Sequence, residues 1–133
     1  MKKFLPLLAL VLIASACDVY IIEPAFDDRN KFVGTYRVEE YSTTLDQYAY
    51  FDIRISKSNN GYHVFLRNFY GVDIRVRADV EANRLIIPHQ IVNGYEVQGS
   101  GTWYDGELTL TYSVRDLESY PVFTDFCSAK AWR

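Results

Sequence analysis

Few side chains in this sequence are of types that do chemistry. They are two cysteines (Cys17 and Cys127), two histidines (His63 and His89) and the adjacent acidic pairs Asp27-Asp28 and Glu39-Glu40. A thiol can attack or be acylated, an imidazole can relay protons or bind a metal, and two carboxylates can divide acid and base roles. A zinc site needs three or four ligands converging in space, yet the histidines lie in different strand-like segments with no second ligand at metal spacing. Neighbours in an extended chain point to opposite faces, so neither acidic pair forms a dyad and both read as solvated charges. No G-x-S-x-G elbow, Ser-x-x-Lys pair or glycine-rich phosphate loop is present, and Gly99-Ser100-Gly101 falls inside a strand pattern. No catalytic residue, metal ligand or cofactor is expected.

Cys17 is distinguished by what precedes it. Lys2 and Lys3 lead into an apolar run from Phe4 to Ile13, then Ala14-Ser15-Ala16 and the cysteine. This is the layout of a cleaved secretory signal, and the run is shorter than the roughly 20 residues a membrane-crossing helix needs. The end of the run resembles the lipobox of bacterial lipoproteins, with alanine at the position where leucine is usual. That resemblance implies an acylated Cys17 as the first mature residue and anchor. On the competing reading, Ala14-Ser15-Ala16 is an ordinary cleavage site and Cys17 is free or paired with Cys127. If Cys17 is acylated, Cys127 reads as a small buried hydrophobe in the last strand.

Three regions are therefore expected: a signal peptide over 1–16, the lipidated cysteine with a tether over 17–31, and one domain over 32–133. The formal charge of −3 becomes two units more negative once Lys2 and Lys3 leave, and the basic residues are scattered. Such a chain has no electrostatic case for nucleic acid. Its 16% aromatic content, with 11 tyrosines and 8 phenylalanines, suits pleated, half-buried surfaces.

Alternation of period two pervades the domain. Ala49, Phe51, Ile53 and Ile55 share one face, as do Val72, Ile74, Val76, Ala78 and Val80, and again Leu108, Leu110, Tyr112 and Val114. Asn60-Gly61, Asn93-Gly94 and Asp105-Gly106 read as hairpin turns, with looser turns at Tyr70-Gly71 and Glu81-Ala82-Asn83. Eight strands follow, near 34–42, 48–57, 61–70, 72–80, 84–92, 95–104, 107–115 and 121–132. Joining the first strand to the last hides both edges, so the expected fold is all-β, an antiparallel eight-stranded meander closed into an up-and-down barrel. Pro88 lacks an N–H and should mark a bulge in the fifth strand.

Tyr36, Tyr62, Trp103 and Tyr112 fall on expected inward faces, while Tyr50, Tyr70, Tyr104 and Tyr120 fall outward or in loops. Gly99 and Gly101 share a face with Trp103 and should leave relieved space beside it. Tyr36, Tyr62, Gly99, Gly101 and Trp103 are therefore the candidate ligand-binding residues, with at most a shallow pocket bordered by Gly99, Gly101 and Trp103 and open at one barrel end.

The segment Phe32-Val33-Gly34-Thr35-Tyr36-Arg37-Val38 resembles the Gly-x-Trp opening of lipocalin and related calycin barrels, with tyrosine replacing tryptophan. The terminal Trp132-Arg133 resembles the arginine that packs across that aromatic. The stretch from Arg84 to Val114 is similar to the second half of small lipocalin-like lipoproteins of Bacteroidota. These resemblances imply a lipocalin-like fold and a lipid-anchored place in the bacterial envelope, at the outer membrane; the expected function is that of a non-enzymatic barrel binding a small apolar or glycan ligand or a protein. The alternative is a filled-core structural or inhibitory protein acting through its exterior.

Overall fold

A computed structural model describes residues 26–59 and 61–133; the leader, Cys17 and Asn60 lie outside them. Eight strands form a closed barrel in chain order: β1 (Gly34–Ser42), β2 (Gln47–Lys57), β3 (His63–Phe69), β4 (Ile74–Glu81), β5 (Arg84–Val92), β6 (Tyr95–Tyr104), β7 (Glu107–Asp116) and β8 (Thr124–Trp132). The seam pairs Arg37–Ser42 of β1 with Trp132–Cys127 of β8. All-β class, antiparallel meander and closure are as the alternation and turns require.

The strands turn most of their apolar side chains inward. Leu108, Leu110, Tyr112 and Val114 are buried while Thr109 and Thr111 are exposed. Asp52, Arg54, Arg75 and Arg77 face water. An apolar inside and a charged outside is the reverse of a barrel that meets lipid with its strands. Asn93-Gly94 and Asp105-Gly106 hold φ values of 48°/82° and 48°/80°, the left-handed pair a two-residue hairpin turn demands.

Pro88 interrupts the ladder as expected. The β5–β6 register shifts between Ile87 and Gln90, and β4 pairs with β5 only over Asp79–Glu81 against Ile86–Arg84. A second irregularity falls at Asn68, φ 61°, where β3 shifts register against β4.

Two departures from expectation concern the ends. The last residues of the expected tether are folded: Asp28–Lys31 forms a short 3-10 helix capped by Asp27. Arg29 ties it to the domain by donating to the Ser58 and His63 carbonyls at 3.0 and 3.2 Å. Ala49, expected inside, is exposed, because β3 pairs only with residues 54–57 of β2 and leaves the upper half of that strand overhanging.

The helix, the loops 58–62, 82–83 and 105–106, and Arg133 mark the lower end. The loops 43–46, 70–73, 93–94 and 117–123 mark the upper end.

Candidate functional site

At the lower end β1 carries Tyr36 into the barrel, where it is fully buried. The Arg133 guanidinium lies over its ring, 5.4 Å from the centroid, and donates to the Val33 carbonyl at 3.0 Å. Gly34 makes this possible: a Cβ there would sit 2.9 Å from Arg133 Cδ. The first-strand aromatic and the terminal arginine thus meet as the resemblance implied. Trp103 of β6 is half-buried against the same core, and its buried indole N–H has no hydrogen-bond partner among the described residues. Burial raises the Tyr36 phenol above its ordinary range, against the opposing pull of the Arg133 charge.

Tyr36 and Trp103 are therefore brought together, but the other candidates are not. Tyr62, expected to point inward, is 78% exposed, because it belongs to the 58–62 loop and β3 starts one residue later. Gly99 and Gly101 lie opposite Tyr112 and Leu110 of β7. A Cβ on Gly99 would stand 2.4 Å from the Thr111 carbonyl oxygen, and one on Gly101 would stand 2.5 Å from Leu110 Cδ2. The space expected beside these glycines is occupied by β7. Their role is close strand approach, not relief around Trp103.

The rest of the interior is filled. Phe32, Leu66, Leu85 and Leu108 are fully buried, and Phe69 packs on Tyr112 with centroids 4.6 Å apart. Surface depressions lie outside: a groove of about 390 Å³ on the outer face of β6–β8, and one of about 520 Å³ beside Tyr62, His63 and Ile86.

Beneath the upper loops the structure holds a polar cluster that the alternation pattern did not reveal. Glu40, expected to be solvated, is 4% exposed, and Asp125 is 3% exposed. Tyr112 donates to Glu40 Oε2, while Ser42 and Tyr70 donate to the two oxygens of Asp125. Tyr70, expected outward, is half-buried and turns its hydroxyl into this cluster from a left-handed backbone, φ 60°. Burial above all, and then the Asp125 charge, push the Glu40 carboxyl up; the Tyr112 hydroxyl opposes them. Burial likewise raises the Tyr112 and Tyr70 phenols and the Cys127 thiol, so the thiol is an inert hydrophobe with weak polar contacts. Even parity of Glu40 with buried Tyr36 and Val38 was the available signal that it points inward.

Among the described residues no group of three His, Cys, Asp or Glu has the spacing to hold a metal ion. His63 pairs with Asp79, and His89 with Glu96 at 3.1 Å. Cys127 is buried and forms no disulfide among the described residues. No family model matches the chain, and no curated protein does.

Proposed function

We propose that this chain is a lipid-anchored lipoprotein of the bacterial cell envelope, held at the membrane through acylated Cys17, whose non-enzymatic barrel binds a protein partner through its exterior. The observation that carries this reading is the filled interior. Side chains occupy the barrel from Phe32 and Tyr36 at one end to Glu40 and Asp125 at the other, leaving the outside as the surface of recognition. Glu40, Asp125 and Tyr112 of the upper cluster are buried and bond within it, which favours a structural role for them over a substrate site.

Exposed apolar side chains gather at the upper end: Leu45, Ile91, Leu117, Val122, Phe123 and Phe126. The chain joins the barrel at the lower end through the Asp28–Lys31 helix, which leaves the upper end facing away from the tether. Exposed apolar clusters of this kind are the usual cores of protein contacts.

The test is site-specific photocrosslinking in intact envelopes, with the reactive side chain placed at Phe123 or, at the lower end, at Tyr104. A discrete protein adduct from 123 that is lost with Val122→Asp, and none from 104, is the expected result. Equal adducts from both ends, or a small molecule retained by the natively purified protein, would replace this reading with that of a ligand carrier.

A further inference from the structure

The barrel is closed, yet one strand retains a free edge. β2 runs from Gln47 to Lys57 and pairs with β1 along Gln47–Ile55, but β3 lies beside only its residues 54–57. Above them β3 turns away, and Asn68 at its bulge meets β2 with a side chain, donating to the Asp52 carbonyl at 2.7 Å.

That bond fixes which main-chain groups look outward. Asp52 directs its carbonyl to the β3 side, and in an antiparallel ladder alternate residues face the same neighbour. Tyr50 and Tyr48 therefore present their N–H and C=O groups to the same side, where no strand of the described residues lies. Thr43 agrees with this parity: its N–H donates to Phe126 of β8, so the intervening even residues of β1 face β2 and pair with the odd residues of β2. Tyr48 and Tyr50 are 61% and 67% exposed, and Ala49 between them is exposed too.

Natural sheet edges are guarded by charges, prolines or bulges. Gln47-Tyr48-Ala49-Tyr50-Phe51 has none of these, and its aromatic residues favour strand pairing.

We infer that Tyr48–Tyr50 of β2 is a pairing edge for a second copy of this chain, joined antiparallel about a two-fold axis through Ala49. The segment is a palindrome, and its symmetry matches its main-chain parity. In this register Tyr48 lies opposite Tyr50 of the second copy, and Tyr50 opposite Tyr48 of the second copy. Both are residues with outward N–H and C=O groups, so four hydrogen bonds form. The two Ala49 residues meet on the axis as a non-hydrogen-bonded pair, where side chains approach most closely and a methyl group fits. Asp46 and Asp52 flank the segment on each side and fall opposite each other, which confines the ladder to these three residues. An isologous interface of this kind closes at two copies.

The geometry prescribes its own test. A non-hydrogen-bonded antiparallel pair has Cα atoms about 4.5 Å apart, within the range that a disulfide spans. Full-length Ala49→Cys under mild oxidation should give a disulfide-linked dimer whose 49–49 linkage is identified by peptide mass spectrometry. Tyr62→Cys, exposed at the far end, should give none. Adding Tyr50→Pro to Ala49→Cys removes an N–H used only between copies. It should cut the rate of linkage at least about tenfold, the factor set by about 1.4 kcal/mol, with the circular dichroism of the barrel unchanged. The wild-type chain should show a dimer by light scattering that Tyr50→Pro lacks. Absence of the 49–49 link, a link undiminished by Tyr50→Pro, or capture of a different chain at position 49 would each overturn the inference.

Discussion

The Gln90 side chain takes the place of a strand residue opposite Arg77. Its carboxamide oxygen accepts from the Arg77 N–H at 3.0 Å, and its nitrogen donates to the Arg77 carbonyl at 2.8 Å and to the Pro88 carbonyl at 3.0 Å. The bulge that Pro88 imposes removes β5 from this stretch of β4, and a side-chain amide offers the same donor and acceptor as the missing peptide.

Gln90→Ala should therefore cost about 0.5–1.5 kcal/mol, the net worth of hydrogen bonds at an exposed site, since water is the remaining partner for the two main-chain groups of Arg77. Urea denaturation with an unchanged m-value is the measurement. A loss no greater than that of Thr111→Ala would mean that water replaces the amide at no cost.

Glu40 makes stability depend on pH. Its folded-state pKa is raised, chiefly by burial, above the unfolded value of about 4.3. The folded chain thus holds this proton more tightly than the unfolded one, and the stabilisation is fully present below that value and lost as pH rises through the folded pKa. Glu40→Gln, which keeps an acceptor for Tyr112, should match the wild type most closely near pH 4 and exceed its stability at neutral and alkaline pH. Thermal melts across that range test it; a variant weaker than the wild type at alkaline pH would refute it.

Burial along β7 separates adjacent positions. Leu110 is buried and Thr111 exposed, so Leu110→Ala should cost about 2–5 kcal/mol and Thr111→Ala no more than about 0.5. Equal losses in chemical denaturation would contradict the register.

Ala82 occupies the β4–β5 turn at φ 52°, a left-handed backbone that a Cβ disfavours. Ala82→Gly removes a strain of roughly 1–2 kcal/mol, less the entropy glycine adds to the unfolded chain, for a net gain of about 0.5–1 kcal/mol. A lowered melting temperature would show that the turn does not carry this strain.

Cys17→Ser should release the protein from membranes into the soluble fraction, as fractionation and blotting would show. Retention in washed membranes would remove acylated Cys17 from the proposed function.

Local chemistry accounts for what the sequence determined unaided. Alternation along β2, β4 and β7 and the positive-φ turns at Asn93-Gly94 and Asp105-Gly106 depend only on near neighbours, so strands and their order were legible, and closure followed from the need to hide two sheet edges. The kink at Pro88 was legible too, because a missing N–H is a property of one residue. What the tertiary structure alone decided concerns contacts distant in sequence. Glu40 is buried against a hydroxyl 72 residues away, and Asp125 receives Ser42 from 83 and Tyr70 from 55. Alternation puts both acids on the buried faces of β1 and β8, but only the distant hydroxyls that bond them explain how they stay there. Tyr62 shows the converse: its parity pointed inward, but a strand that begins one residue later leaves it in water. The free edge at Tyr48–Tyr50 also arises from unequal strand reach, because where β3 leaves β2 depends on the bulge at Asn68 and not on any residue of β2 itself.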